Sequence, residues 1–430
     1  MKLDKKQTFL VGLAFMSIIA FWEVYDNVIP VMLKNTFGFS DTVTGAVMGI
    51  DNVLALFMLP FFGALSDRTK TRIGRRMPYI VGGTLVTSVF VMLLPIAQQT
   101  KNLTLFMIAL GVVLLAMSTY RSPAVALMPD VTPKPLRSKA NAIINLMGAL
   151  GGASILVATA LLVKGDNPSY VPLFIFLVSF MLISVAVLFF TVNEPKAIKK
   201  MREISRQYNI DEDEKTDEST SDSGSEKMAP DVRRSFVLIL ISIFLWFMGY
   251  NAVISGFTRY AAAMWGRNVG EASTIKLVAT VAAILSYIPV GLIASKFGRK
   301  KTIILGICFL AVAFGSAILF PGFSILMFIF FAMAGMGWAL INVNSYPMVV
   351  EMSKGANIGK YTGYYYIFSM AAQTVTPMFS GIFIDLFGYK TLFPYGSIFV
   401  LLSLGTMMMV KHGDSKPIRK SALESYEDLD

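Results

Sequence analysis

Gly63-Ala-Leu-Ser-Asp67-Arg68-Thr-Lys70-Thr-Arg72-Ile-Gly74-Arg75-Arg76 stands between two long apolar runs, and its reading decides the fold. Its glycines allow a tight reversal with helices packed closely on either side. Its cations are what a membrane-spanning chain gathers on the cytoplasmic side of a hairpin. Asp67 can pair with a nearby Arg or cap a helix end. A stop-transfer cluster explains the charges alone. It does not explain the glycine spacing, or the partial echo Gly298-Arg299-Lys300-Lys301 later in the chain.

Working outward, apolar runs recur along all 430 residues, near 9–33, 43–65, 78–97, 104–128, 140–163, 172–192, 235–258, 273–294, 302–320, 324–349, 361–386 and 392–410. Each is about 20 residues, the length that crosses roughly 30 Å of hydrocarbon as a helix. The chain is 55% hydrophobic and 15% charged, against roughly a quarter charged in soluble domains. The first run begins near Phe9, is too long for a signal-peptide core and lacks a small-residue cleavage site, so it reads as a retained span. The expectation is an all-α membrane protein of twelve transmembrane helices.

Composition excludes several chemistries. Cys308 is the only cysteine, which rules out disulfides within the chain and cysteine-based metal clusters. His412 is the only histidine and lies in the polar tail, so proton chemistry inside the membrane must use carboxylates. No phosphate-cradling Gly-Lys-Ser/Thr loop supports an ATP-driven pump. No nucleophile–base or metal-ligand constellation is visible, so no enzyme, cofactor or metal is expected. The net charge of +11 could suggest nucleic acid, but its distribution argues for membrane lipids instead. With the N-terminus inside, cytoplasmic segments hold 30 of the 38 Lys and Arg. That asymmetry places a multi-pass protein in the cell membrane with both termini cytoplasmic.

The largest break is 193–234. It opens Asn193-Glu194-Pro195, continues basic through Lys199, Lys200 and Arg202, then turns acidic and rich in Ser and Thr. From Asp211 to Glu226 it cannot bury a core, so disorder is expected there. The division is an N-terminal six-helix half (1–192), a flexible cytoplasmic linker (193–234), a C-terminal six-helix half (235–410) and a cytoplasmic tail (411–430).

The halves read as repeats. Trp22-Glu-Val-Tyr-Asp26-Asn27 corresponds to Trp246-Phe-Met-Gly-Tyr250-Asn251. Pro60-Phe-Phe-Gly63 corresponds to Pro289-Val-Gly291. Ser122-Pro123 with Asp130 corresponds to Tyr346-Pro347 with Glu351. Shared hydrophobicity alone does not produce matched polar residues in order at a nearly constant offset.

The loop motif resembles the signature of the major facilitator superfamily, and the resemblance covers all twelve spans. The longer form, Ser66-Asp67-Arg68 then Arg72-Ile-Gly74-Arg75-Arg76-Met77-Pro78-Tyr79-Ile80, is similar to that of sucrose–proton symporters within the glycoside–cation symporter assembly. Those proteins usually carry three Arg before the Pro; here the third position is Met77. Arg121 and Asp130 match the family's Arg in span 4 and its following acid. The related melibiose–sodium symporters carry Asp where this chain aligns Ala55, Leu59 and Arg121, which argues against their sodium site and favours protons. The resemblance implies two pseudo-symmetric halves and a central cavity lined by spans 1, 4, 7 and 10.

An ionisable residue in mid-span costs several kcal/mol unless it faces the bundle interior or a wet cavity. Glu23, Asp26, Asp51 and Arg121 qualify. Glu23, Asp26, Asn27 and Pro30 follow helical spacing and share one face. Depth arithmetic at about 1.5 Å per residue pairs Arg121 with Glu23 first, and groups Asp26 with Asp51 and Asn52. Such a pair can couple proton release to substrate binding, or simply hold spans 1 and 4 together. Trp22, Asn27, Asn145, Trp246, Tyr250, Asn251, Asn342 and Tyr346 offer amides and flat apolar faces suited to a sugar; each aromatic can equally be packing. Asp67, Arg68, Arg75, Arg76, Asp130, Arg299 and Glu351 are expected to form cytoplasmic gate contacts.

The expected function is secondary transport by alternating access, as proton-coupled symport of a glucoside or disaccharide. Proton-coupled antiport of a drug or metabolite fits the same scaffold. A membrane sensor that does not transport, with the 193–234 loop contacting a cytoplasmic partner, is the reading from another class.

Overall fold

The computed structural model describes residues 3–133, 136–165, 168–208, 229–352 and 358–414. Thirteen helices form among them, and twelve are long and apolar enough to span a membrane. In chain order these are α1 (Lys5–Phe37), α2 (Asp41–Arg68), α3 (Met77–Gln99), α4 (Leu103–Val131), α5 (Arg137–Leu162), α6 (Val171–Thr191), the short α7 (Glu194–Gln207), α8 (Pro230–Trp265), α9 (Val269–Phe297), α10 (Arg299–Ile318), α11 (Leu326–Glu351), α12 (Ile358–Phe387) and α13 (Leu392–Met409). A spanning chain is helical because hydrocarbon offers no partner to a free backbone N–H or C=O. The helix starts follow from short polar side chains. Asp4, Asn102 and Asn193 accept from Gln7, Leu105 and Lys196 N–H, at 3.1, 3.0 and 3.1 Å, and so cap α1, α4 and α7. The Lys200 ammonium bonds Asp4 at 2.9 Å and, with the Gln7 N–H, holds the Asp4 carboxyl below its usual range. Gly38 and Gly266 close α1 and α8 in the left-handed conformation.

The helices gather into two units. The first comprises residues 1–39, 50–215 and 268–273; the second comprises 40–49, 216–267 and 274–430. In the first, α1 runs along α5 and α3 along α4. A Cβ on Gly151 would lie 2.2 Å from the Met16 carbonyl oxygen, so the α1 and α5 backbones touch. In the second, α8 runs along α13 and α10 along α11. The same kind of contact joins α8 to α13, where a Cβ on Gly249 would lie 2.7 Å from the Gly396 carbonyl oxygen. Two helices are divided between the units. The first turns of α2 belong to the second unit, and the first turn of α9 belongs to the first.

The expected flexible linker is corrected at its start. Residues 194–207 form the amphipathic α7, with Met201 and Ser205 buried and Lys196, Lys199, Arg202 and Arg206 outward. The periodic placement of Ala197, Ile198, Met201 and Ile204 carries this helix, and the basic residues between them mask it in a charge-based reading. Residues 211–226, where disorder is expected, lie outside the described residues.

Glu194, at the first position of α7, is fully buried and supplies a cap that the sequence of α3 lacks. Its carboxylate accepts from the backbone N–H groups of Arg75, Arg76 and Met77 at 2.8 to 3.1 Å. Gly74 precedes them at φ 119°, and a Cβ there would strike the Glu194 carboxylate. The second unit repeats the arrangement with fewer bonds. Gly298 stands at φ 90° before α10, and Asp414 accepts from the Lys300 N–H at 2.8 Å. In each half, an acid just beyond the last span caps the start of the third.

Each buried N–H group left without an acceptor costs about 1–3 kcal/mol, and Glu194 serves three such groups. Glu194→Ala is therefore expected to lower the thermal unfolding midpoint of the purified protein in detergent by several degrees. Glu194→Asp should retain part of the loss, and an unchanged midpoint for Glu194→Ala would remove the capping role.

Candidate functional site

The first unit carries a cluster of intramembrane charges on three helices. On α1, Trp22, Glu23, Asp26 and Asn27 occupy one turn. Asn27 is buried, and its amide donates to the Glu23 carboxylate at 2.6 Å and to the Glu23 carbonyl oxygen at 2.7 Å. This fixes Asn27 as a partner of Glu23. Glu23 Oε2 also faces α5, where a Cβ on Gly152 would lie 3.5 Å away. Asp26 is exposed at the surface of the unit. On α2, Asp51 accepts from the Asn52 side chain at 2.9 Å. On α4, Arg121 places its guanidinium 5.5 Å from the centre of the Trp22 ring, a cation–π contact.

Arg121 interacts electrostatically with Asp51 of α2 and Asp26 of α1. Depth arithmetic along the helices placed Glu23 first. Rise per residue cannot show which way a side chain turns, and Glu23 is held by Asn27 on its own helix. Asp51 and Asp26, expected to group together, both lie within electrostatic reach of Arg121 and of Tyr25. Asn145 lies exposed on α5.

The second unit carries an uncharged aromatic and amide face. Tyr250 on α8 stacks on Trp338 of α11, with ring centres 3.8 Å apart and planes 6° from parallel. Tyr287 of α9 lies near the side chain of Asn342, which is exposed one turn along α11 from Trp338. Tyr346 follows a further turn on, edge-on to Tyr365 at 5.4 Å. Asn251 is half-buried, and its amide nitrogen has no hydrogen-bond partner. Trp246 departs from its expected role. It is 0% exposed, so no ligand reaches it in this conformation and its ring is packing. Sequence doubling aligns it with Trp22, whose half-buried ring meets Arg121, whereas the Trp246 ring lies in the core. Tyr287 escaped the sequence reading because a lone Tyr in an apolar span carries no pattern.

The signature loop assembles as a network wholly within the first unit. Arg75 grips Asp130 with two nitrogens, at 2.6 and 3.2 Å. Arg76, 5% exposed, bonds the same carboxylate at 2.8 Å and also reaches Asp67 and Ser66. Arg68 is exposed at the end of α2. In the second unit, Arg299 pairs with Glu351, the counterpart of Arg75 with Asp130. The duplicated motif therefore appears twice as geometry: an Arg after a positive-φ glycine, bound to the acid that ends the fourth span of its own half.

Residues 11–266 and 239–425 match the sequence pattern of the Major Facilitator Superfamily. The chain belongs to that superfamily. Its members are transporters of small molecules, so this major facilitator protein is a transporter and not an enzyme. A stretch of 135 residues is 26% identical to the sucrose transport protein SUC3 of Arabidopsis thaliana, covering 27% of this chain and 23% of that protein. The fold is similar to that of a D-xylose–proton symporter (TM-score 0.67, 14% identity, 96% of this chain and 99% of the other). It is also similar to the nucleoside transporter NupG (TM-score 0.63, 14% identity, 94% and 99%). A bacterial homologue of the human drug peptide transporters PepT1 and PepT2 shares it too (TM-score 0.69, 12% identity, 95% and 98%). At these identities the structures establish the major facilitator fold of twelve spans.

Within the loop network of this major facilitator protein, burial decides what each ion pair contributes. Asp130 is 13% exposed and holds two Arg, whereas Asp67 is 55% exposed. Breaking a buried pair costs about 3–5 kcal/mol, and an exposed one under about 1 kcal/mol. Asp130→Asn is expected to destabilise the protein strongly and Asp67→Asn hardly at all, as measured by thermal melting in detergent. Equal effects would contradict the network drawn here.

Proposed function

We propose that this protein is a proton-coupled sugar symporter working by alternating access, with both termini in the cytoplasm of a cell-membrane protein. The observation that carries the proposal is a charge imbalance. The spans of the first half place Glu23, Asp26 and Asp51 inside the membrane, against one cation, Arg121. One guanidinium neutralises one carboxylate. Further ionised acids in a low-dielectric interior carry a cost of several kcal/mol each, which a bound proton removes. Asp51 and Asp26, the acids that share Arg121, are the carboxylates we assign to proton exchange. Glu23, held by Asn27, tunes that pair from the same turn of α1.

The sugar assignment is supported by the other unit. The stacked Tyr250–Trp338 pair, with the Asn342 and Asn251 amides beside it, offers a flat apolar surface edged by donors and acceptors. Sugar rings present the complementary pattern, apolar C–H faces ringed by hydroxyls. The likeness of part of the chain to a sucrose transport protein points the same way. The bias of Lys and Arg toward alternate loops supports the orientation.

Proteoliposomes with an imposed inward proton gradient test the reading against a panel of glucosides and disaccharides. Gradient-driven accumulation of a sugar, with alkalinisation outside, is expected. Efflux driven by the same gradient would replace symport with antiport, and binding without flux would replace transport with sensing. Asp51→Asn is expected to abolish uphill accumulation and to leave counterflow exchange within about threefold of wild type, since exchange needs no net proton movement. Full proton-driven accumulation by Asp51→Asn would remove Asp51 from the coupling role.

A further inference from the structure

On the side of the signature loop, α7 lies against the ends of α1, α4 and α5 without closing completely on them. A cavity of about 150 Å³ opens between these elements. Its walls are largely apolar, with Val11 from α1, Met128 and Val131 from α4, Leu136 ahead of α5, and Met201 and Ile204 from α7. Asp4, Gln7 and Lys200 also line it, and the Lys200 ammonium reaches the Asp4 carboxylate at 2.9 Å. Close-packed interiors hold few voids larger than a water molecule, so a hollow of this size is one that a ligand chain can enter.

The surroundings of the cavity are cationic. Lys196 stands one helical turn before Lys200, on the edge of α7 that meets the cavity. Lys199, Arg202 and Arg206 cover the outer face of α7, and Lys6 is exposed in the first turn of α1. Against these cations α7 exposes one acid, Glu203, which lies 4.0 Å from Lys199. Asp4 is already engaged by Lys200 and by the Gln7 N–H, and Glu194 is buried under the signature loop. The excess of positive charge suits an anion.

The level of the site decides which anion. Helix α7 starts at Glu194, directly after α6 ends at Thr191, and the cavity walls are the terminal turns of the spans α1 and α4. That is where a hydrocarbon core gives way to headgroups. Tyr208, exposed at the end of α7, is of a residue type enriched at this boundary. A nucleotide or other soluble anion meets the cations and has nothing to offer the apolar walls. An acidic peptide would bring backbone N–H and C=O groups into a hollow with few partners for them. An anionic phospholipid presents both matching parts, a phosphate for the lysines and acyl methylenes for Val11, Met128 and Met201. Each buried methylene adds affinity, and each cation close to the headgroup adds about fivefold.

We propose that this cavity is a binding site for one anionic phospholipid of the adjacent leaflet, with an acyl chain held between α7, α1 and α4 and the phosphate at Lys6, Lys196 and Lys200. The bound lipid fastens α7, and with it the Glu194 cap of α3, to the first unit. The inference holds for any transported substrate and any coupling ion.

The test uses the full-length protein in nanodiscs that contain phosphatidylglycerol with a photoreactive diazirine in its acyl chain. After irradiation and digestion, mass spectrometry reads which residues carry the lipid. Crosslinks are expected within 3–11 and 197–204, and unlabelled phosphatidylglycerol should displace them at least about fivefold better than phosphatidylcholine. Ala197 lines the cavity, and Ala197→Trp fills it while keeping every cation. These crosslinks should then fall about tenfold, the loss of a few buried methylenes, while crosslinks to the exposed Phe190 of α6 stay unchanged and report an intact fold. Ala197→Leu should give an intermediate loss, and Lys196→Gln about a fivefold one. Wild-type protein without crosslinks in the two stretches would overturn the site, and that outcome needs no variant. Unchanged crosslinks in Ala197→Trp would reduce it to lipid held on a charged surface. Equal displacement by phosphatidylcholine would remove the anion preference, and displacement by soluble glycerol phosphate as strong as by the lipid would replace the phospholipid with a free phosphate ester.

Discussion

Inside hydrocarbon, a polar group must find its partner within the protein, and much of this molecule is arranged around that demand. Backbone groups meet it by forming long helices. Helix ends meet it with borrowed carboxylates: Glu194 for α3, Asp414 for α10 and Asp385 for α2. Side-chain charges meet it by clustering, as Arg75 and Arg76 do on Asp130, Arg299 on Glu351 and Arg259 on Asp41. These partners come from distant parts of the chain, so satisfying one buried group also fixes how two or three helices pack.

The two halves use this constraint differently. Both carry the glycine–arginine turn, its acid at the end of the fourth span and its capping acid beyond the sixth. That shared frame appears in both halves as the same geometry. The intramembrane carboxylates around Arg121 belong to the first half only, and the stacked Tyr250–Trp338 face to the second only.

Periodicity and composition make the twelve spans legible, and matched polar residues make the repeat legible. The Arg75–Asp130 and Arg299–Glu351 pairs follow from reading the repeat twice. What the sequence hides is side-chain direction and borrowed partners. Trp246 and Trp22 share a spacing but not an environment. Arg259 reads as an outer-loop cation because its apolar run ends near 258, yet α8 continues to Trp265. Asp41 reads as an ordinary first-turn acid, and nothing local announces that Tyr389 and Asp385, more than 340 residues away, will hold it. Helix α7 is legible afterwards from its apolar spacing, but its basic residues draw the eye to topology instead.

The paired caps have a practical meaning for the chain as an object. Glu194 and Asp414 each fasten the exit of a six-helix half back onto an early turn of the same half, like a clasp closing a bracelet. Each half thus carries its own fastener. A cut made between α7 and α8 would leave both clasps whole. An affinity tag or partner fused to the C-terminus must begin beyond Asp414, since trimming the tail to the last span would unfasten the second half alone.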